Sequence, residues 1–205
     1  KPRIDTIPVG SLKKLNRPSA PRKRHSFITA CRLATEKHVD WLVDAIVKAR
    51  KVVPDVSFDI YGEGGEAKRL KELIYENDAS DYIRLMGQQD LTDVYVGYEA
   101  YLSGSTSEGF GLTLMEAIGS GLPIIGFNVR YGNQEFIDEG QNGYKLNYVV
   151  GMDATLRQKS LVDAIVRFCT EANVPMMSQH SYEVAEKYLT GEVEKKWKLS
   201  IEKTI

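Results

Sequence analysis

The sequence is poor in the residues that mark several specialised protein classes. Only two cysteines, Cys31 and Cys169, occur among 205 residues. They lie far apart with no metal-ligand spacing, which argues against a disulfide framework or a structural zinc cluster. Each sits in an apolar pattern, so both are expected to be reduced core residues of a cytosolic protein. Proline is sparse at 7 residues, and 42% hydrophobic with 27% charged residues is a folded composition. No apolar run approaches the ~18 residues of a membrane span, and the first residues lack a signal-peptide pattern. The expected location is cytoplasmic, with membrane contact peripheral at most, at the inner face. A formal net charge of −1 argues against a dedicated nucleic-acid binder. The three histidines, His25, His38 and His180, are isolated from one another. They are expected to be structural or solvated, and no Asp/His cluster suited to a metal stands out.

What is present is enough chain for one large domain. The chain begins without Met, in mid-phrase, and is read as a piece of something longer. Lys1, Arg3, Lys13, Lys14, Arg17, Arg22, Lys23 and Arg24 crowd its start against a single acid, Asp5. That run is either a solvated lead-in or a contact with an anionic surface or partner. Residues 1–23 are read as the lead-in and 24–205 as the folded domain. Strands are expected at 25–33, 55–62, 81–87, 98–105, 122–127 and 142–148. Helical periodicity separates them, most plainly at 39–49, 66–77 and 111–121, and a brief helix fits 91–97. Two more helical stretches, 160–172 and 179–204, end the chain, the second broken near Gly191. Alternation of this kind implies βαβ units: an α/β fold with a doubly wound, Rossmann-like parallel sheet of about six strands. In such sheets ligands bind beyond the carboxyl ends of the strands, where strand order reverses. The clusters "RLATEK", "GEGG", "GQQD" and "SGSTSEGFG" all fall at such ends.

The stretch "STSEGFGLTLMEAIGSGLP" (105–123) holds two glutamates around a glycine turn. If a helix starts near Gly111, its first N–H groups lack intrahelical partners and form an anion site strengthened by the helix dipole. Gly109 and Gly111 allow a ligand close to the main chain. Glu116 would lie roughly 9 Å deeper than the turn holding Glu108, at ~1.5 Å per residue. That is the far end of the range for a glycosidase carboxylate pair, ~5–9.5 Å. It matches the reach of an elongated ligand with hydroxyls at both ends and phosphates between. The plainer alternative is one Glu placed favourably at a helix N-terminus and a second, unrelated one. Arg32 and Lys37 bracket the loop after the first strand, where cations oppose the following helix dipole, and a bound diphosphate would explain them.

In order along the chain, these residues resemble the donor-binding half of the family-4-like retaining glycosyltransferases, which pair two facing Rossmann-like domains (the GT-B fold). The segments "IDTIPVG", "CRLATEKHVDWLVDAI", "VPDVSFDIYGEGGEAKRL", "SEGFGLTLMEAIGSGLPII", "YGNQEFIDEGQNGYKL" and "EKKWKLSI" carry the resemblance. Within the family, "RYGNQEFIDEGQNG" and "IPVG" look most like bacterial enzymes that place N-acetylglucosamine on serine-rich repeat adhesins and work with the accessory secretion system. Wall-teichoic-acid and poly(glycerol phosphate) glucosyltransferases are close competitors. His38 departs from the pattern, standing where the family often has Gly, which implies a slightly different loop.

The resemblance implies roles. Arg32 and Lys37 would stabilise the leaving diphosphate, and Glu108 would hold the sugar; these three are the candidate catalytic residues. Main-chain groups of Gly109, Phe110, Gly111 and Leu112, with Ser105 nearby, would hold phosphate and sugar hydroxyls. Glu116 would accept both ribose hydroxyls, and the turn Met86, Gly87 and Gln88 would read the base. The donor would be UDP-N-acetylglucosamine or UDP-glucose, a substrate rather than a cofactor, with no metal required. The acceptor would be a protein Ser/Thr or a cell-wall polymer hydroxyl. An N-terminal acceptor domain outside this chain is implied, with a crossing C-terminal helix and a homologous glycosyltransferase-like subunit as a further partner. The isolated domain would be inactive without its N-terminal half. The alternative is a non-catalytic partner subunit or nucleotide-sugar-binding module; an epimerase or phosphorylase of the same architecture fits the residues less well.

Overall fold

Runs such as SFITA and SFDIY are buried along their whole length, as strands covered on both faces must be. The structure, a computed structural model, describes residues 7–8 and 10–202. β1 (Ser26–Ala30) and β2 (Ser57–Tyr61) pair in parallel, from Ser26 opposite Ser57 to Ala30 opposite Tyr61. With β3 (Ile83–Gly87), β4 (Ala100–Ser103), β5 (Ile124–Phe127) and β6 (Gly143–Leu146) they form one parallel sheet. Its order is β3-β2-β1-β4-β5-β6. The chain winds outward from β1 to β3, returns to β4, and winds outward again. The reversal lies between β1 and β4, so a crevice opens beyond their carboxyl ends.

Period-two alternation sends neighbouring residues to opposite faces. Phe27 joins a core with Phe58, Leu42, Ile46 and Phe168, while Ile28 joins one with Tyr101, Leu114, Ile118 and Phe136. Helices α1 (Val39–Ala49), α2 (Ala67–Glu76) and α5 (Ala154–Glu171) contribute to the first core. α3 (Leu112–Gly119), α4 (Gly132–Phe136) and α6 (Val174–Glu186) contribute to the second, and α7 (Thr190–Glu202) ends the described chain.

All six expected strands are present. The helices differ in three places. α5 begins at Ala154 rather than at 160, because Asp153 caps it, accepting from Thr155 N (2.9 Å) and Leu156 N (3.1 Å). The helix expected from 179 begins at Val174, because Asn173 caps it, accepting from Met176 N (3.2 Å), and its break near Gly191 falls at 187–189. The break frees Leu189 to bridge Leu12: Leu12 N donates to Tyr188 O at 2.7 Å, and Thr190 N donates to Leu12 O at 2.9 Å. The short α4 has no periodicity long enough to see in sequence. Both cysteines are free and pack, partly buried, against the first core. Burial still pushes their thiols up, to about 11 for Cys31 and about 12 for Cys169.

Part of the basic lead-in has a structural use. Arg22 donates to Ser120 O (2.7 Å) and Gly121 O (2.8 Å) at the end of α3, and Arg17 lies 4.4 Å over the Tyr182 ring. Lys1 and Arg3, and residues 4–6 and 9 of the "IDTIPVG" segment, lie outside the described residues.

Candidate functional site

The β1–β4 ladder consists of Phe27 opposite Ala100 and Ile28 opposite Tyr101, and beyond it the strands part. The loops that follow stay in main-chain contact. A Cβ on Gly104 would lie 2.6 Å from His38 O and 2.8 Å from Lys37 O. His38 adopts the left-handed conformation (φ 44°, ψ 43°) that glycine takes most readily, so the chain path a glycine would give is kept. Its ring stacks on Trp41 with centroids 3.6 Å apart, and its Nε2 lies 3.2 Å from Thr106 Oγ1. These contacts agree with a structural role for His38.

This approach brings Lys37 to Glu108: Nζ to Oε2 is 2.7 Å, with side chains 19% and 16% exposed. Glu108 is held by its own main chain. Its N–H donates to Arg130 O (2.9 Å), its carbonyl accepts from Tyr131 N, and Gly132 N donates to Gly109 O (3.0 Å). Gly132 has no room for a side chain, since a Cβ would meet Phe110 O at 2.6 Å. α3 then starts after Gly111 (φ 80°), with no side-chain cap on its first N–H groups. A cation, a clamped carboxylate and an uncapped helix N-terminus therefore converge where β1 and β4 separate. Ser105 is buried beside them, Phe110 packs edge-on against Phe136 (5.4 Å), and Leu112 is exposed.

Glu116, farther along α3, accepts a hydrogen bond from Tyr95 OH at 3.2 Å. One side of it is open to solvent, but the surrounding protein desolvates the carboxyl and raises its pKa; the Tyr95 bond opposes that shift. A cleft of about 460 Å³ runs past Arg32, Tyr61, Gln88, Leu91 and Thr113, and a second of about 460 Å³ joins Leu91 and Tyr95 to Glu116 and Asn16. A separate cleft, lined by Tyr144, Arg167 and His180, lies at the amino ends of the strands, away from this chemistry.

Not every candidate meets at one point. Arg32 is 73% exposed and pairs with Glu36 at 2.6 Å rather than with the Lys37–Glu108 pair. At the β3 turn, Met86 O already accepts from Gln89 Nε2 (2.8 Å) and Gly87 O from Gly62 N (2.8 Å). Of Met86, Gly87 and Gln88, it is Gln88 that lines the cleft passing Arg32 and Thr113. The remaining histidines have local partners: His25 with Asp55 (2.7 Å) and His180 with Asp138 (2.9 Å). Among the described residues no group of three or more His, Cys, Asp or Glu could hold a metal ion, and no helix is long and apolar enough to cross a membrane. Sequence reasoning missed Tyr95 and the Arg130–Gly132 clamp. The aromatic inside "LTDVYVG" and the glycine after β5 were the available signals.

Residues 13–166 match the family described as "Glycosyl transferases group 1". The chain is 57% identical over 197 residues to a UDP-N-acetylglucosamine–peptide N-acetylglucosaminyltransferase GtfA subunit of Limosilactobacillus reuteri, covering 96% of this chain and 38% of that protein. It superposes on the crystal structure of the pneumococcal O-GlcNAc transferase GtfA in complex with UDP and GlcNAc with a TM-score of 0.93 at 50% identity, covering 98% of this chain and 40% of that one. For the crystal structure of a GtfA/B complex the TM-score is 0.95 at 54% identity, with 99% and 40% covered. The chain thus spans about two fifths of the length of these relatives.

Proposed function

The chain belongs to the glycosyl transferases group 1 family, and from that premise we propose that it is the donor-binding half of a UDP-N-acetylglucosamine:protein N-acetylglucosaminyltransferase. The observation that carries this reading is the Lys37–Glu108 pair at 2.7 Å, set against the uncapped start of α3. The names of its relatives supply the sugar and the acceptor class.

In this reading the donor diphosphate lies over the first turn of α3, held by the N–H groups of Phe110, Gly111 and Leu112. Lys37 contributes the positive charge, and Arg32 joins by exchanging Glu36 for phosphate. Glu108 orients the sugar through its hydroxyls, Glu116 accepts the two ribose hydroxyls, and the Gln88 main chain meets the base. When the bond from the anomeric carbon to the phosphate oxygen breaks, negative charge grows on that oxygen. Preorganised donors and a cation stabilise this charge more than the ground state. The acceptor hydroxyl attacks from the same face, its oxygen bonding to the anomeric carbon and its proton passing to the leaving phosphate oxygen. The anomeric configuration is retained. No metal is assigned to the step. The acceptor site belongs to the rest of the protein, and a related subunit is proposed as partner because a similar chain occurs in a GtfA/B complex.

Full-length protein, with that subunit present, should transfer N-acetylglucosamine from UDP-N-acetylglucosamine to a serine-rich peptide and should use UDP-glucose far less well. Equal use of both donors would withdraw the sugar assignment. Absence of transfer despite tight donor binding would favour a non-catalytic binding module.

A further inference from the structure

We propose that Tyr101 is a positioning residue whose phenol hydroxyl fixes the separation between the Arg32–Lys37 loop and the first turn of α3. The inference rests on the reading above, in which a diphosphate lies between those two elements.

Cys31 N donates to Tyr61 O on β2 at 3.1 Å. Main-chain groups in a strand alternate in direction, so Ala30 turns its N–H and C=O the other way, toward β4. The ladder to β4 has already ended at Ile28 opposite Tyr101, and no β4 main chain meets those groups. The Tyr101 hydroxyl meets both. It accepts from Ala30 N at 3.2 Å and donates to Ala30 O at 2.8 Å. Its third contact is Thr113 Oγ1 at 3.1 Å. With its single proton given to Ala30 O, the phenol accepts there and Thr113 donates. One donor and two acceptor positions are all that a phenol hydroxyl has.

The side chain is 2% exposed, so the hydroxyl is satisfied by protein alone. Its three partners belong to the two sides of the crevice. Ala30 leads directly into Cys31 and Arg32, whereas Thr113 lies in the first turn of α3 beside Leu112. The phenol thus bridges the gap where β1 and β4 part. The Tyr95 ring, whose own hydroxyl meets Glu116, lies 6.4 Å away.

Tyr101→Phe keeps the ring and leaves both Ala30 main-chain groups unpaired. In full-length protein, calorimetry with UDP and with uridine separates the phosphate contribution from the nucleoside contribution. The expected result is a UDP affinity about ten-fold weaker, the scale of one buried hydrogen-bond defect, with uridine within about two-fold of wild type. Thr113→Val should shift in the same direction and Thr113→Ser should restore wild-type binding. An unchanged UDP affinity, or equal losses for UDP and uridine, would overturn the proposal. If Tyr101→Phe does not fold, the Thr113 pair decides: equal behaviour of Val and Ser overturns it. Should wild-type protein itself bind UDP no more tightly than uridine, the diphosphate reading fails first, independently of Tyr101.

Discussion

At the scale of single residues, the proposed function rests on charges placed where a leaving group would become negative. Lys37→Ala should cut kcat by roughly two or more orders of magnitude, since one lost donor at a developing charge costs ~3–4 kcal/mol, while donor KM changes far less. Arg32→Lys should not restore a lost Arg32 function, because the planar fork is gone although the charge remains. Steady-state kinetics on both variants decides this, and a defect confined to KM would reduce the two residues to holding the donor. Glu116 gives a pH test. Burial raises its pKa above the ordinary 4.5, and in the proposed role of Glu116 it is the carboxylate that accepts the ribose hydroxyls. Uridine affinity should therefore be full above that raised pKa and fall as pH drops through it. Stability runs the other way: a carboxyl whose pKa is raised on folding favours the folded state more as pH falls toward the unfolded value. Glu116→Gln should flatten the binding profile, and a slope that survives in Glu116→Gln would assign the titration elsewhere. The candidates Lys37, Glu108 and Glu116 were picked out by motif spacing, and the fold brings the first two together. The Arg32–Glu36 pairing was not, since it is a choice between solvent-exposed rotamers that spacing does not determine.

Among the elements, the glycine turn after β2 has a clearer task than its position at a strand end implied. It props the β1 loop from beneath: Leu33 N donates to Glu63 O (2.8 Å) and Glu66 N to Leu33 O (3.0 Å). Gly62 sits at φ 119°, where a Cβ would fall 1.9 Å from Cys31 O. Gly62→Ala should cost ~1–3 kcal/mol of stability from backbone strain and loosen UDP binding by displacing Arg32. Gly65→Ala, with nothing within 4 Å of its Cβ, should do neither. Denaturant titration with UDP calorimetry checks both, and equal effects at the two positions would remove the propping role. Strand positions were readable from β-rich runs and turn residues. Which glycine is irreplaceable was not, because its constraint is a tertiary approach between loops far apart in sequence. The same holds for Gly132 against Phe110, and for the Leu12–Leu189 bridge at the helix break.

Across the whole molecule, the alternation of strand and helix predicted the doubly wound sheet, and its order explains why the site lies between β1 and β4. The two loops carrying Lys37 and Glu108 are separated in sequence, and only the reversal of strand order brings them to 2.7 Å. Sequence located the crevice through its polar and glycine clusters, but the Arg130–Gly132 clamp and the Tyr101 bridge come from long-range packing that has no local pattern. The central claim is that this crevice binds a uridine diphosphate sugar through charge at one end and Glu116 at the other. Calorimetric titration of UDP into full-length protein with a chelator present, repeated for Glu116→Ala, tests it most directly. The account predicts a Kd on the order of tens of micromolar, within the range of ordinary enzyme substrates, and a weakening by about 1.5–3 kcal/mol in Glu116→Ala, the worth of hydrogen bonds to a charged group. No binding under chelation, or wild-type affinity in Glu116→Ala, would contradict it.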